Sequence, residues 1–220
     1  MMAVLFVLLA VVLSYLLGSI SFGVIFSKLF AKKDVRDYGS GGSGMTNVMR
    51  SVGLLPGLLT FVFDALKGFA ACYLARVTFF PLAGYFSNGA WWTQAVYGAY
   101  LCGLVCMLGH MFPLFFGFKG GKGIATSVGI FAVCCPYAII AGLAVFILSL
   151  IISKIVSLSS LIATVVVGVG VVIWHNPEYN MWIQVVLTFL MCLLVFWKHR
   201  ENIIRLYKKE EKRLVVRKGE

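Results

Sequence analysis

Six long apolar runs account for most of the chain, and short polar segments separate them. The runs cover residues 4–26, 54–80, 93–112, 124–153, 158–174 and 181–197. Apolar residues make up 61% of the 220-residue chain, charged residues only 12%, and the mean hydropathy is +0.97. A soluble domain of this size could not bury so much apolar surface. Because a helical span needs about 20 apolar residues, the pattern predicts an all-α, polytopic membrane protein with a single domain over residues 1–220.

The positive charge lies between the apolar runs and near the C-terminus. The chain has 19 Lys and Arg against eight Asp and Glu, which gives a net charge of +11. Nine of the Lys and Arg lie between Lys198 and Lys218. Basic segments beside spans follow the positive-inside rule and attract anionic lipid. The distribution therefore argues against nucleic acid as a partner and favours membrane lipid. It also predicts that residues 198–220 form a basic helix on the cytoplasmic surface.

The first apolar run predicts an uncleaved span with its N-terminus outside. Residues 1–17 resemble the core of a signal peptide, but no basic residue precedes them and no clear cleavage site follows. The basic residues come afterwards, beginning with Lys28, Lys32 and Lys33.

The run 124–153 is too long for one comfortable helix and too short for two full spans, and Pro136 lies in its middle. As one span, it would put Lys119 and Lys122 opposite the basic tail. A break near Pro136 puts every basic cluster on one side, as the positive-inside rule prefers. We therefore expect seven transmembrane helices, one of them a short span near Pro136, with the N-terminus out and the C-terminus in.

Residues 36–50 form the first of three polar clusters on the predicted cytoplasmic side. Its glycines let a ligand approach the backbone, and Arg36 and Arg50 can bind a phosphate through two hydrogen bonds each. Neutral donors are supplied by Ser40, Ser43, Thr46 and Asn47. A flexible linker with Thr46 or Asn47 capping the next helix is an equally good interpretation of these residues alone.

The second cluster runs from Gly109 to Thr126. Its candidate anion-binding residues are Lys119, Gly120, Gly121, Lys122 and Gly123. Glycines allow backbone N–H groups to crowd an anion, and the lysines add charge. A basic turn at the lipid headgroups would explain the lysines but not the three glycines. His110 ends the preceding span, and alone it favours a structural role.

The third cluster covers residues 197–206. On a helix, His199 and Asn202 share one face. A basic helix next to the membrane is the simpler interpretation of this segment alone. Separately, Asp64 and Lys67 form an i, i+3 pair inside the second run, where we expect each to offset the other's burial.

Together, the clusters resemble the bacterial acyl-phosphate:glycerol-3-phosphate acyltransferases, the PlsY family. Three stretches carry the resemblance: Gly39 to Arg50, Gly109 to Thr126 almost without interruption, and His199 to Glu211. A further element matches at Asp64, Leu66, Lys67 and Gly68. The chain departs from the family pattern at Gly42, where the family has Asn, at Met45, where it has Ala, and at Lys209, where it has Gly.

The resemblance implies an enzyme that transfers an acyl group from acyl-phosphate to the C1 hydroxyl of sn-glycerol 3-phosphate. The products are lysophosphatidic acid and inorganic phosphate. It implies catalytic roles for Ser40, His110, His199 and Asn202. It implies substrate binding by Arg50, Asn47, Thr46, Lys119, Gly120, Gly121, Lys122 and Gly123. The proton acceptor stays open among His199, His110 and the substrate's own phosphate. The location implied is the bacterial cytoplasmic (inner) membrane, with the active site on the cytoplasmic face.

Two other functions remain open from the residues alone. Basic glycine-rich loops beside a broken span also suit a transporter for a small phosphorylated anion. A non-catalytic membrane scaffold is the other. We expect no metal and no cofactor, because the carboxylates are scattered and the three histidines are far apart in sequence. We expect a monomer.

Overall fold

All regular secondary structure in the described part of the chain is helical. The computed structural model describes residues 1–213, in which every regular element is a helix. The α-helices are α1 Met2–Gly18, α2 Phe22–Ala31, α3 Met45–Ser51, α4 Leu54–Leu74, α5 Phe80–Phe86, α6 Ala95–Met111, α7 Ile124–Cys134, α8 Pro136–Ser153, α9 Val156–Trp174, α10 Met181–Lys198 and α11 Arg200–Tyr207.

Six helical segments of the described chain are long and apolar enough to cross a membrane. They are Met2–Ala31, Leu54–Phe86, Ala95–Phe116, Pro136–Ser153, Val156–Trp174 and Met181–Lys198. The apolar helix Ile124–Cys134 is shorter. The predicted all-α polytopic membrane fold is confirmed, whereas the count of seven spans and their orientation stay predictions.

The predicted break near Pro136 is present. Helix α7 ends at Cys134, Cys135 is non-helical with φ −153° and ψ 81°, and Pro136 begins α8. Proline disfavours helical backbone at the preceding residue, which accounts for the interruption. The 11 residues of α7 rise only about 16 Å, roughly half the hydrocarbon thickness.

A second break, between α1 and α2, was not predicted. The first apolar run was expected to be one span, and Met2–Ala31 is one candidate span, but within it the helix stops at Gly18 and restarts at Phe22. The break lies where α1 is in close contact with α6. A Cβ on Gly18 would lie 2.1 Å from the carbonyl oxygen of Cys106, and a Cβ on Gly109 would lie 2.3 Å from that of Tyr15. Small residues thus let α1 and α6 touch at the break.

Helix α4 lies centrally, packed against α2, α3, α6 and α7. Its contact with α7 is a backbone approach: Cβ atoms added at Gly68 and Gly129 would lie 2.4 Å and 1.8 Å from the carbonyl oxygens of Thr126 and Ala65. Helices α8 and α9 pair with each other, and α10 packs against α6 and α9. The start of α7 is therefore held by the same helix that borders the end of α6.

The predicted tail helix is shorter than expected. Helix α11 ends at Tyr207, and the chain turns back through Lys209, whose φ is 58°. The turn returns Glu211 to the surface of α11, where it bonds Asn202 and Arg205. Residues 214–220 of the predicted helix lie outside the described residues.

Candidate active site

The first cluster is organised around the side chain of Asn47. Its amide nitrogen donates to the carbonyl oxygens of Val35, Tyr38 and Gly42 at 2.8–3.0 Å, and its Oδ1 accepts from the Ser40 N–H at 3.0 Å. Asn47 is buried, so these backbone contacts use its hydrogen-bonding capacity. The structure therefore places Asn47 as the support of the 38–42 loop, not as a group facing a ligand.

The loop supported by Asn47 leaves Ser40 exposed, next to Gly39 in the left-handed region. A Cβ on Gly39 would lie 2.1 Å from the Oδ1 atom of Asn47, so only glycine fits here. Thr46 lies in the first turn of α3 and Arg50 in its last turn, four residues later and therefore on the same face of that helix. Arg50 is exposed, and its Nη2 lies 3.5 Å from the Lys212 carbonyl oxygen.

Arg36 joins the first cluster to the second. Its guanidinium forms an ion pair with Asp34 at 2.8 Å and donates to the carbonyl oxygens of Phe116, at 2.5 Å, and Lys119, at 3.3 Å. The hydrogen bond from Arg36 holds the pKa of the Asp34 carboxyl below its usual value, against the opposing effect of burial. Arg36 is thus occupied within the protein, and it fixes the loop that carries Lys119.

The two lysines of the second cluster lie in different surroundings. Lys119 is exposed and lines a polar cleft together with Lys28 and Arg36. Lys122 is partly buried, and its ammonium donates to the Oδ1 atom of Asn202. Burial lowers the pKa of Lys122, an effect that the nearby Glu211 carboxylate partly opposes. Lys122 therefore joins the third cluster, whereas Lys119 does not.

Glu211 completes the network around Asn202. Its Oε1 accepts from the Asn202 amide at 2.6 Å and from the Ser157 hydroxyl at 2.8 Å, and its Oε2 accepts from Arg205 at 2.7 Å. Burial raises the pKa of Glu211, but these three donors outweigh burial and the net pKa is lowered. The charged carboxylate orients Asn202 so that its carbonyl oxygen faces Lys122.

The imidazole of His199 lies beside this network and is buried. Its Nδ1 lies 2.8 Å from the carbonyl oxygen of Val195. Burial, aided by the nearby Lys122 ammonium, lowers the pKa of His199 to about 4. His199 is therefore neutral at physiological pH.

His110 lies deeper than the other candidate residues. It is 5% exposed, its Nδ1 is 3.5 Å from the Asp64 carboxylate, and its carbonyl oxygen accepts from the Gly121 N–H at 3.2 Å. Backbone at Gly120 and Gly121 covers it, and Gly123, with φ 87°, precedes the first turn of α7. His110 thus supports the glycine loop from beneath.

An apolar groove extends from the polar network into the helix bundle. It has a cavity volume of about 110 Å³ and lies between α4 and α7–α10. Ile124 and Ser127 line it next to the Lys122 loop, and Val195, the hydrogen-bond partner of His199, also lines it. An elongated apolar ligand in this groove would place its polar end among Lys122, His199 and Asn202.

Comparison with known proteins identifies the family of the chain. A family model described as glycerol-3-phosphate acyltransferase matches residues 8–209. The chain belongs to the glycerol-3-phosphate acyltransferase family. Membership makes it an acyltransferase enzyme, as the resemblance of its motifs implied.

Two relatives illustrate the similarity to members of the glycerol-3-phosphate acyltransferase family. The chain is 36% identical over 208 residues to glycerol-3-phosphate acyltransferase 2 of Bacillus anthracis, covering 94% of this chain and 99% of the relative. It is 39% identical over 202 residues to the glycerol-3-phosphate acyltransferase of Listeria monocytogenes serotype 4b (strain F2365), covering 92% and 93%.

Two solved structures of PlsY, an integral membrane glycerol 3-phosphate acyltransferase, have the same fold. The glycerol 3-phosphate form superposes with a TM-score of 0.80 at 33% identity, covering 95% of this chain and 96% of that one. The lysophosphatidic acid form gives a TM-score of 0.78 at 33% identity, covering 95% of both chains.

Sequence reasoning missed two groups that organise the site. Glu211 matches the third motif, but the sequence assigns it no role. Its contact with Asn202 depends on the turn of the chain at Lys209. Asp64 was assigned to a pair with Lys67, and its approach to His110 was not foreseen. Two sequence signals pointed to these groups: Glu211 matches the third motif, and Asp64 is a carboxylate inside a membrane span.

Proposed function

We propose that this protein transfers the acyl group of acyl-phosphate to the C1 hydroxyl of glycerol 3-phosphate at the cytoplasmic face of the bacterial inner membrane, acting as a monomer. The observation that carries the proposal is the Lys122–Asn202 hydrogen bond, with His199 beside it, next to the end of the apolar groove that Ile124 and Val195 line. The acyl chain occupies the groove, and both phosphates lie among the cations outside it.

The phosphate groups of the two substrates require positive charge and backbone donors. Lys122, Arg50 and Lys119 supply charge, and the N–H groups of Gly120, Lys122 and Gly123 supply donors near the start of α7. The N–H of Gly121 instead donates to the His110 carbonyl oxygen, so Gly121 contributes by letting the backbone approach the ligand. Exposed Ser40 adds a hydroxyl from the first cluster. Thr46, in the first turn of α3, adds a second hydroxyl, and Asn47 keeps the cluster in shape through its backbone contacts.

The reaction needs no acylated enzyme, because acyl-phosphate is already activated. The C1 oxygen attacks the acyl carbon and forms the ester bond, while the bond from that carbon to the phosphate oxygen breaks. The hydroxyl proton passes to a substrate phosphate oxygen and leaves on inorganic phosphate. The Nδ1 atom of His199 donates to Val195, so its Nε2 is free to accept a hydrogen bond from the hydroxyl and orient it.

Phosphate release by purified protein in lipid vesicles, with palmitoyl-phosphate and glycerol 3-phosphate, tests this function. We expect release that needs both substrates and falls about 100-fold in His199→Ala, within the usual range for a positioned polar catalytic group. His175→Ala is the matched control, since His175 also places its Nδ1 against a backbone carbonyl but lies in the loop after α9. Absence of release from folded wild-type protein, or equal loss in both variants, would contradict the proposal.

A further inference from the structure

Asp64, Lys67 and His110 form a buried cluster of ionisable side chains inside the helix bundle. The Lys67 ammonium lies 2.7 Å from the Asp64 carboxylate, and the Nδ1 of His110 lies 3.5 Å from the same oxygen. The three side chains are 1–4% exposed. Burying ionisable groups inside a membrane protein costs free energy, so such groups usually mark a functional role.

The cluster links three segments that are far apart in sequence. Lys67 donates to the carbonyl oxygen of Ile20 at 2.8 Å, at the break between α1 and α2. Asp64 and Lys67 belong to α4, and His110 to the end of α6. The cluster therefore fixes the position of the last turn of α6 against α4 and the break between α1 and α2.

The glycine loop lies directly on His110. Gly121 donates its N–H to the His110 carbonyl oxygen at 3.2 Å. A Cβ on Gly121 would lie 2.3 Å from the Nε2 of His110, and a Cβ on Gly120 would lie 2.0 Å from the His110 carbonyl oxygen. A small displacement of His110 must therefore move the backbone of residues 120–121.

The next residue along the chain, Lys122, holds the Oδ1 atom of Asn202. We infer that the Asp64–Lys67 pair positions the glycine loop through His110 and so sets the affinity of the site for glycerol 3-phosphate without touching it. Asp64, Lys67 and His110 are then positioning residues. This assignment rests on the proposed function, and it changes the role of His110, for which the motif resemblance implied catalysis.

The double substitution Asp64→Asn/Lys67→Met tests the inference. Removing one partner would leave an uncompensated buried charge, whereas replacing both keeps the interior neutral and is compatible with folding. We expect KM and Kd for glycerol 3-phosphate to rise at least tenfold, with kcat reduced less than threefold. Amide exchange in a peptide containing residues 120–122 should quicken at least tenfold, since the Gly121 hydrogen bond to His110 loosens.

Thr60→Val is the matched control. Thr60 is fully buried on α4 one turn before Asp64, and its hydroxyl donates to the Pro56 carbonyl oxygen at 2.7 Å. This variant should leave KM, Kd and amide exchange at the wild-type values. Asp64→Glu is a second test variant that keeps both charges and moves the carboxylate by one methylene. It should raise Kd at least threefold.

The outcomes separate this inference from the proposed function. A folded double variant with lower thermal stability but unchanged Kd and loop exchange would show a merely structural pair and overturn the inference. Wild-type protein that binds glycerol 3-phosphate but releases no phosphate from acyl-phosphate would overturn the proposed donor, while Kd still tests the pair. If wild-type protein bound no glycerol 3-phosphate, the claim about affinity would fall, and exchange alone would decide whether the pair positions the loop.

Discussion

At the scale of single residues, one hydrogen bond decides what His199 can do. A carbonyl oxygen only accepts, so the contact with Val195 places the proton on Nδ1 and leaves the lone pair on Nε2. With a pKa of about 4, the ring stays neutral and is a weak base. The geometry therefore suits a group that orients the attacking hydroxyl, while a substrate phosphate, whose second pKa is about 6, takes the proton.

His199→Gln tests this division of roles, because glutamine can accept a hydrogen bond near the position of Nε2 but cannot take up a proton. We expect it to recover at least tenfold of the activity that His199→Ala loses. In the wild type, the contribution of His199 is complete well above pH 4 and falls as the pH drops through about 4, where imidazolium formation turns Nε2 into a donor. The pH dependence of kcat should lose this limb in His199→Gln; a limb near pH 6.5 that vanishes instead would identify His199 as the base.

At the scale of elements, the end of α11 determines whether the third cluster is complete. The N–H groups of Lys209 and Glu210 donate to the carbonyl oxygens of Leu206 and Arg205, which is a Schellman turn with Lys209 in the left-handed position. Glycine is the usual residue there, since other side chains clash in that conformation. This turn brings Glu211 to Asn202.

Lys209→Gly should therefore stabilise the protein, by about 0.5–1 kcal/mol, because it relieves the left-handed strain at the turn. The thermal unfolding midpoint in lipid or detergent measures the effect. Lys208→Gly is the control at the neighbouring exposed position, where φ is −77° and glycine gains nothing. A lower midpoint for Lys209→Gly than for Lys208→Gly would contradict the explanation.

At the scale of the whole molecule, the three clusters converge at one end of the helix bundle. Arg36 bonds the Lys119 loop, Lys122 bonds Asn202, and Lys198 donates to the Met111 carbonyl oxygen at 3.0 Å. The loop that carries Glu178 joins the other ends of α9 and α10. The positive-inside rule assigns the basic end to the cytoplasm.

Cysteine labelling measures this orientation. In a background with the six native cysteines replaced, Glu178→Cys should react with a membrane-impermeant maleimide in intact cells, because Glu178 is exposed in the α9–α10 loop. Lys208→Cys, exposed after α11, should react only after the cells are opened. The reverse pattern would place the active site outside and overturn both the orientation and the proposed cytoplasmic reaction.

Much of the fold could be predicted because hydropathy and proline act locally. Apolar runs located the spanning helices, and Pro136 marked the boundary between α7 and α8. The break near Ile20 carries no such mark; it depends on Lys67 bonding the Ile20 carbonyl and on close contact with α6. The predicted helix over residues 198–220 exceeded the observed α11, because Lys209 turns the chain despite being an ordinary helix former.

The sequence alone determined the membrane class, the family and the three clusters, because each depends on residue types within short segments. Only the tertiary structure decided which groups meet. Lys122 and Asn202 are 80 residues apart, and Asp64 reaches His110 from a different helix. Two lysines of the same motif therefore have different surroundings. Lys119 lines a solvent-open cleft, whereas Lys122 bonds Asn202. Such contacts depend on how helices pack, which the local pattern of a segment does not specify.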